Sequence, residues 1–189
     1  EFLGMDPGNN VFTARDYITY GDILAKMKRY TEAVVQYEKA YELDNTRIEI
    51  LKVLSDTYDR AKDYEKAIVT YEKYMAADTV NNQDVMDYYL LGQTCYRAGL
   101  AAQDSIELRD AYSLKADSMF QVVVKRSPTD YRGYLWCARA AAVRDPETKE
   151  GLAKPLYEET LTVLDQDPAN KEKAATKRAY IEAYKYLGY

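Results

Sequence analysis

Two stretches decide the reading of this chain: YTEAVVQYEKAYELD, from Tyr30 to Asp44, and YEKAIVTYEKYMAAD, from Tyr64 to Asp78. Tyr30 matches Tyr64, Ala33 matches Ala67, Tyr37 matches Tyr71, and the pair Glu38-Lys39 matches Glu72-Lys73. Each match lies 34 residues further on. Self-similarity at a fixed period of this size marks an array of stacked helix pairs, because one pair cannot bury its apolar face alone.

Working outward from these stretches, a helical stripe precedes each of them. Tyr17, Tyr20, Gly21 and Leu24 fall on one helical face, and Leu51, Leu54, Ser55 and Tyr58 repeat that stripe one period later. Short polar turns such as KMKRY connect each stripe to the next, whose inner positions are Ala33, Tyr37 and Ala40, then Ala67, Tyr71 and Tyr74. The small residues Gly21, Ser55, Ala33 and Ala67 mark the closest approach of two helices, where a larger side chain would force them apart.

The pattern of an aromatic, Leu-Gly, an aromatic, and later Ala, Tyr and Ala resembles the tetratricopeptide repeat (TPR) family. That resemblance implies an all-α fold, a right-handed TPR-type solenoid of antiparallel helix pairs spanning residues 1–189. On its template, 1–13 is the tail of a preceding repeat, and 14–47 and 48–81 are full repeats. A third repeat spans 85–130 and begins at YYLLGQTC, with Tyr88, Leu91 and Gly92 in place. It carries an insertion over 99–110, GLAAQDSIELRD, read as extra helical turns plus a longer loop. The separation from Gly92 to Ala116 is 24 positions, where that from Gly21 to Ala33 is 12. A fourth repeat spans 131–170, with Tyr134, Cys137 and Ala138 on template and Ala153, Tyr157 and Thr160 facing inward from its second helix. YIEAYKYLGY, within 172–189, reads as the first helix of a further, truncated repeat with Gly188 at the small position. Pro155 fits if its helix starts near Leu152, since first-turn amides have no intrahelical partner.

Composition narrows the function. The chain of 189 residues has a net charge of −5, against the basic face that nucleic-acid binding needs. There is no His, so the commonest general base and metal ligand is missing. No Gly-rich phosphate loop or GxSxG elbow occurs, and no apolar run has the length of a membrane span. The expectation is a non-enzyme with neither metal nor cofactor. Twenty Tyr against 3 Phe suit half-buried sites, whether for packing or for binding. Cys95 and Cys137 have two readings: small buried hydrophobes, or a disulfide between the third and fourth repeats if their Cα atoms come close enough. Trp136 is read as an inter-repeat contact.

The family resemblance places partner contacts on the first helices of the repeats. In the third repeat these are Met86, Tyr89, Gln93, Tyr96 and Arg97; in the fourth, Arg132, Leu135 and Arg139, with Ala142 and Val143. The first repeat offers Arg15, Ile18, Asp22, Ala25 and Lys26, and the second Glu49, Lys52, Asp56, Asp59 and Arg60. Aromatic anchors beside guanidinium groups are the composition of interface hot spots. They suggest a peptide with apolar side chains and an acidic group, or else arginines paired with acids of their own array. A chaperone-tail clamp is not supported, because Asp56, Leu90 and Trp136 occupy three of its positions. The expected function is a scaffold that binds a protein or peptide partner in its concave groove. The alternative is self-assembly into homo-oligomers through uncapped repeat ends. GYLWCARAAAVRDPETKEGLAKPLYEE also resembles bacterial cell-envelope TPR proteins, and a periplasmic or envelope location is implied by that resemblance alone.

Overall fold

The computed structural model describes residues 12–78 and 84–188, and every regular element among them is helical. The chain divides into two compact units, Glu1–Val80 and Asn81–Tyr189. The reading of 1–13 as the tail of an earlier repeat falls largely outside the described residues.

In the first unit, α1 (Ala14–Lys26) pairs with α2 (Tyr30–Leu43), and α3 (Glu49–Arg60) pairs with α4 (Tyr64–Ala77). Thr13 caps α1 through a reciprocal pair of bonds: its hydroxyl accepts from the Asp16 amide while the Asp16 carboxylate accepts from the Thr13 amide. Each hairpin turns through a lysine with positive φ, Lys28 at 60° and Lys62 at 65°. The two lysines are one period apart, so the repeat extends to backbone conformation. Connections this short make neighbouring helices antiparallel.

What holds the first hairpin is a ring against a missing side chain. A Cβ added to Gly21 would stand 2.7 Å from the Tyr37 ring, closer than real atoms approach. Ser55, at the matching place, instead donates a hydrogen bond of 2.7 Å from its hydroxyl to the Ala67 carbonyl. Leu24, Ala33, Tyr37, Ala40, Ile50, Leu54, Tyr58 and Ala67 form one core in which α2 also packs on α3. The tyrosine hydroxyls remain satisfied: Tyr37 donates to Asp22 at 2.7 Å, and Tyr58 donates to Glu38.

The second unit contains α5 (Val85–Ala101), α6 (Ile106–Arg126), α7 (Tyr131–Arg144), α8 (Lys154–Asp165), a 3-10 turn (Pro168–Lys171) and α9 (Ala174–Leu187). The inserted residues go almost entirely into helix and add a single residue to the loop. They lengthen both helices, to 17 residues in α5 and 21 in α6, and leave a connection of only residues 102–105. Relative to α2, α6 is seven residues longer, about 10 Å at the helical rise. Ser105 caps the new start by accepting from the Leu108 amide. Gly92 meets Phe120 as Gly21 meets Tyr37, with an added Cβ 2.7 Å from the ring, and Ala138 is fully buried at the corresponding place on α7.

The turn between α7 and α8 is organised by Asp145. Its nearly buried carboxylate accepts backbone N–H bonds from Lys149, Glu150, Gly151 and Leu152, at 2.7 to 3.4 Å. Helix α8 then begins at Lys154 rather than Leu152, and Pro155 occupies its first turn.

Of the two readings of Cys95 and Cys137 the first holds: both thiols are buried and no disulfide joins them. One expectation is corrected. Gly188 is not a helix-packing residue: it ends α9 in the left-handed conformation, φ 82°, with open space where a Cβ would go. The buried face of α9 is Thr176, Ala179, Tyr180 and Ala183. No helix among the described residues is long and apolar enough to cross a membrane.

Gly92→Ala separates two opposing effects. Helix propensity favours Ala by about 1 kcal/mol, whereas pressing a methyl group into the fully buried Phe120 ring costs about 1–3 kcal/mol. The steric effect dominates because the ring has nowhere to move. Denaturant unfolding is expected to show net destabilisation of the second unit; unchanged or increased stability contradicts the tight ring contact.

Candidate functional site

A cavity of about 470 Å³ in the second unit is lined from its five helices and two of the connections between them. Tyr96, Gly99 and Leu100 come from the C-terminal part of α5, Gln103 from the short connection, and Arg109 from α6. Arg139, Ala142 and Val143 come from α7, Pro146 from the turn built on Asp145, Tyr157 from α8 and Glu182 from α9. The inserted segment therefore supplies one wall. Leu100, Ala142, Val143 and Pro146 make the lining largely apolar.

The polar floor is a closed network. Arg139 donates to both oxygens of Glu182, from Nε at 2.8 Å and from Nη2 at 2.6 Å. Glu182 Oε1 accepts a third bond from the Tyr157 hydroxyl at 3.0 Å. The guanidinium lies over the Trp136 ring at 4.5 Å, a cation–π contact. Planar donor and acceptor groups meeting two to two form the strongest common ion-pair geometry.

Titration follows from these partners. The Glu182 hydrogen bonds raise the Arg139 pKa further above its ordinary value. Burial pushes Glu182 up, but the hydrogen bonds and charge of Arg139 outweigh it, and its pKa lies below the ordinary carboxylate value. Burial is also the largest cause of the raised pKa values of the Tyr157 and Tyr96 hydroxyls.

Behind Arg139 stands an aromatic cluster centred on Trp136. The indole stacks on Phe120 at 5.4 Å between centroids and meets Tyr96 and Tyr89 edge-on at 5.2 and 6.1 Å. Its Nε1 donates to the Tyr89 hydroxyl at 2.7 Å. Trp136 thus joins α5, α6 and α7, as an inter-repeat contact should.

The eight expected contact residues divide. Tyr96 and Arg139 line the cavity, as do Ala142 and Val143 of the fourth repeat's set. Met86, Tyr89 and Arg132 surround a separate crevice of about 30 Å³ with Val85, Val123, Ser127 and Asp130. Arg132 is paired there with Asp130 through three contacts of 2.6 to 3.0 Å. Gln93 and Arg97 are half-buried and line neither space; Arg97 donates to the Thr94 hydroxyl at 3.3 Å. Leu135 is a correction: it is only 5% exposed and sits in the core with Ala138, Tyr157, Ala179 and Ala183. In the first unit, Asp22 accepts from Tyr37 and Asp56 is paired with Arg60 at 2.7 Å.

Sequence reasoning missed Glu182, Arg109, the wall from Gly99 to Gln103 and the polar role of Tyr157. Tyr157 falls on the inward stripe of its helix, and its ring is indeed buried, but its hydroxyl reaches the site. Glu182 precedes the fully buried Ala183, a signal obscured by anchoring the helix on Gly188.

Helix pairs packed in succession define a helical repeat protein. The family model of the tetratricopeptide repeat matches residues 15–47 and 49–81. The human protein DnaJ homolog subfamily C member 7 is 29% identical over 87 residues, 46% of this chain and 18% of that protein's length. Among solved structures, the C-terminal part of a TPR repeat-containing protein from Cytophaga hutchinsonii is 32% identical, with a TM-score of 0.66. That match covers 93% of this chain and 60% of the other. A thermophilic TPR protein from Thermus thermophilus shares the fold, at 17% identity and a TM-score of 0.56 over 93% of this chain and 84% of its own. Residues 15–47 and 49–81 thus carry tetratricopeptide repeats, and the all-α solenoid architecture is shared with TPR proteins, bacterial ones among them. Proteins of this family and fold are typically non-catalytic scaffolds for protein interactions.

The Arg139–Glu182 pair carries a pH signature. A carboxylate whose folded pKa is depressed contributes stability above its unfolded pKa of about 4.3. That contribution disappears as pH falls through the lower folded value. Glu182→Gln is therefore expected to be less stable than the parent at neutral pH, with the difference shrinking below about pH 4. Thermal unfolding across pH checks this; a difference that does not change between about pH 7 and about pH 3 contradicts the pairing.

Proposed function

We propose that the second unit docks a segment of a partner protein in the cavity between α5, α7, α8 and α9, without chemistry on the partner. The observation that supports this most is the cavity itself: about 470 Å³, mostly apolar in lining, with a few converging polar groups. Tyr96 and the α7 face of Arg139, Ala142 and Val143 are the contacts of the main site. Met86, Tyr89 and Arg132 provide a second, shallower contact region. Leu135 acts from within the core, by supporting α7.

This reading changes which substitutions are informative. Removing Arg139 strands Glu182 without its cation and uncovers the Trp136 face, so lost binding would not be separable from disturbed packing. A better probe fills the space and leaves the network intact. Ala142→Trp projects a large ring into the cavity from a half-buried position.

With a peptide selected from an array on the parent chain, Ala142→Trp is expected to weaken binding about tenfold or more, a hot-spot-sized loss. Helical content and unfolding midpoint are expected to stay near those of the parent. Isothermal titration of parent and variant checks the affinity; equal affinities place the partner elsewhere on the array.

A further inference from the structure

We infer that Glu182 determines the specificity of the cavity, acting as a built-in occupant for Arg139, so that the site takes an uncharged apolar side chain and rejects a carboxylate. This deepens the docking reading and rests on it. An arginine in a TPR groove invites the opposite expectation, an acidic ligand, and the geometry argues against it.

Two cations line the cavity, and each already has an acid of this chain. Arg139 commits Nε and Nη2 to Glu182, at 2.8 and 2.6 Å, and its guanidinium face to Trp136. Arg109 is paired from Nε with Asp110 at 3.2 Å, and its Nη2 donates to the Arg144 carbonyl at 3.4 Å. The Arg109 side chain is 18% exposed and that of Arg139 27%, so neither guanidinium is freely solvated.

An arriving carboxylate must either displace Glu182, which is tethered on α9 and held by a third bond from Tyr157, or approach the outer Nη1–Nη2 edge of an Arg139 whose charge Glu182 already neutralises. It also meets the Glu182 charge in a partly desolvated space, where like charges repel more strongly than in water. An arriving cation gains little, because the Glu182 oxygens are already engaged with Arg139 and Tyr157. What remains unmatched is apolar surface: Leu100, Ala142, Val143 and Pro146. Burying that surface favours an uncharged aromatic or aliphatic side chain, and the cavity volume lies within the range of pockets that enclose such groups.

The test uses the intact chain and a pair of probes with one ring and different charge, N-acetyl-tryptophanamide and N-acetyl-tryptophan. Affinities are read from amide chemical shifts of labelled protein. The parent is expected to bind the amide about tenfold more tightly than the carboxylate, and Glu182→Gln to erase or reverse that ratio, because Arg139 then lacks its internal acid. A parent that binds N-acetyl-tryptophan as well as the amide overturns the proposal, as does a folded Glu182→Gln with the parent's ratio. Should Glu182→Gln not fold, the parent ratio decides alone. The docking reading fails separately. Absence of shifts with either probe at millimolar concentration sinks it, and so does equal amide binding by Ala142→Trp.

Discussion

Everything in this fold follows from how closely the two helices of a hairpin approach. At Gly21 and Gly92 the opposing aromatic ring occupies the volume a Cβ would need. The fully buried rings of Tyr37 and Phe120 are therefore both core and clasp. Packing of this kind gains dispersion contacts that lose about a quarter to a half of their strength across a gap of about 0.5–1 Å, so register is favoured wherever the small residue and the ring meet. Ser55 solves the same problem by bonding to a carbonyl of the facing helix, and Ala138 by being small.

That closeness leads directly to the site. Phe120, clasped on Gly92, stacks on Trp136; Trp136 carries the Arg139 guanidinium on its face, and Arg139 holds Glu182 of α9. A chain of contacts thus runs from the hairpin crossing to the cavity floor. Lengthening α5 and α6 adds the remaining wall, so an insertion that leaves the crossing untouched converts an open face into a partly enclosed space. Asp145 fixes the rim by gathering four backbone amides and holding Pro146 at the edge.

The fold was legible because its determinants are local and periodic. The 34-residue offset predicts the matching of Gly21 with Ser55, and the structure extends it to the left-handed turns at Lys28 and Lys62. Pro155 identified a helix start because proline is tolerated in the first turn. The site was legible only in part, because its decisive pairing joins residues 43 positions apart. With 31 acidic residues in the chain, nothing in the pattern singles out Glu182 as the partner of Arg139. Leu135 occupies a groove position on the repeat template, yet it is buried in the core of the second unit. The insertion resolved into helix rather than loop because Ser105 provides a cap and Ala116 and Phe120 continue an inward stripe.

The proposed partner contact lies on the cavity face of the second unit, not on the outer faces of its second helices. Amide hydrogen exchange of the chain with and without a bound partner peptide distinguishes the two. Docking in the cavity gives new protection concentrated around Tyr96–Leu100, Arg139–Val143 and Glu182. Protection confined to the solvent-facing sides of α6 and α8, with those segments unchanged, would contradict it.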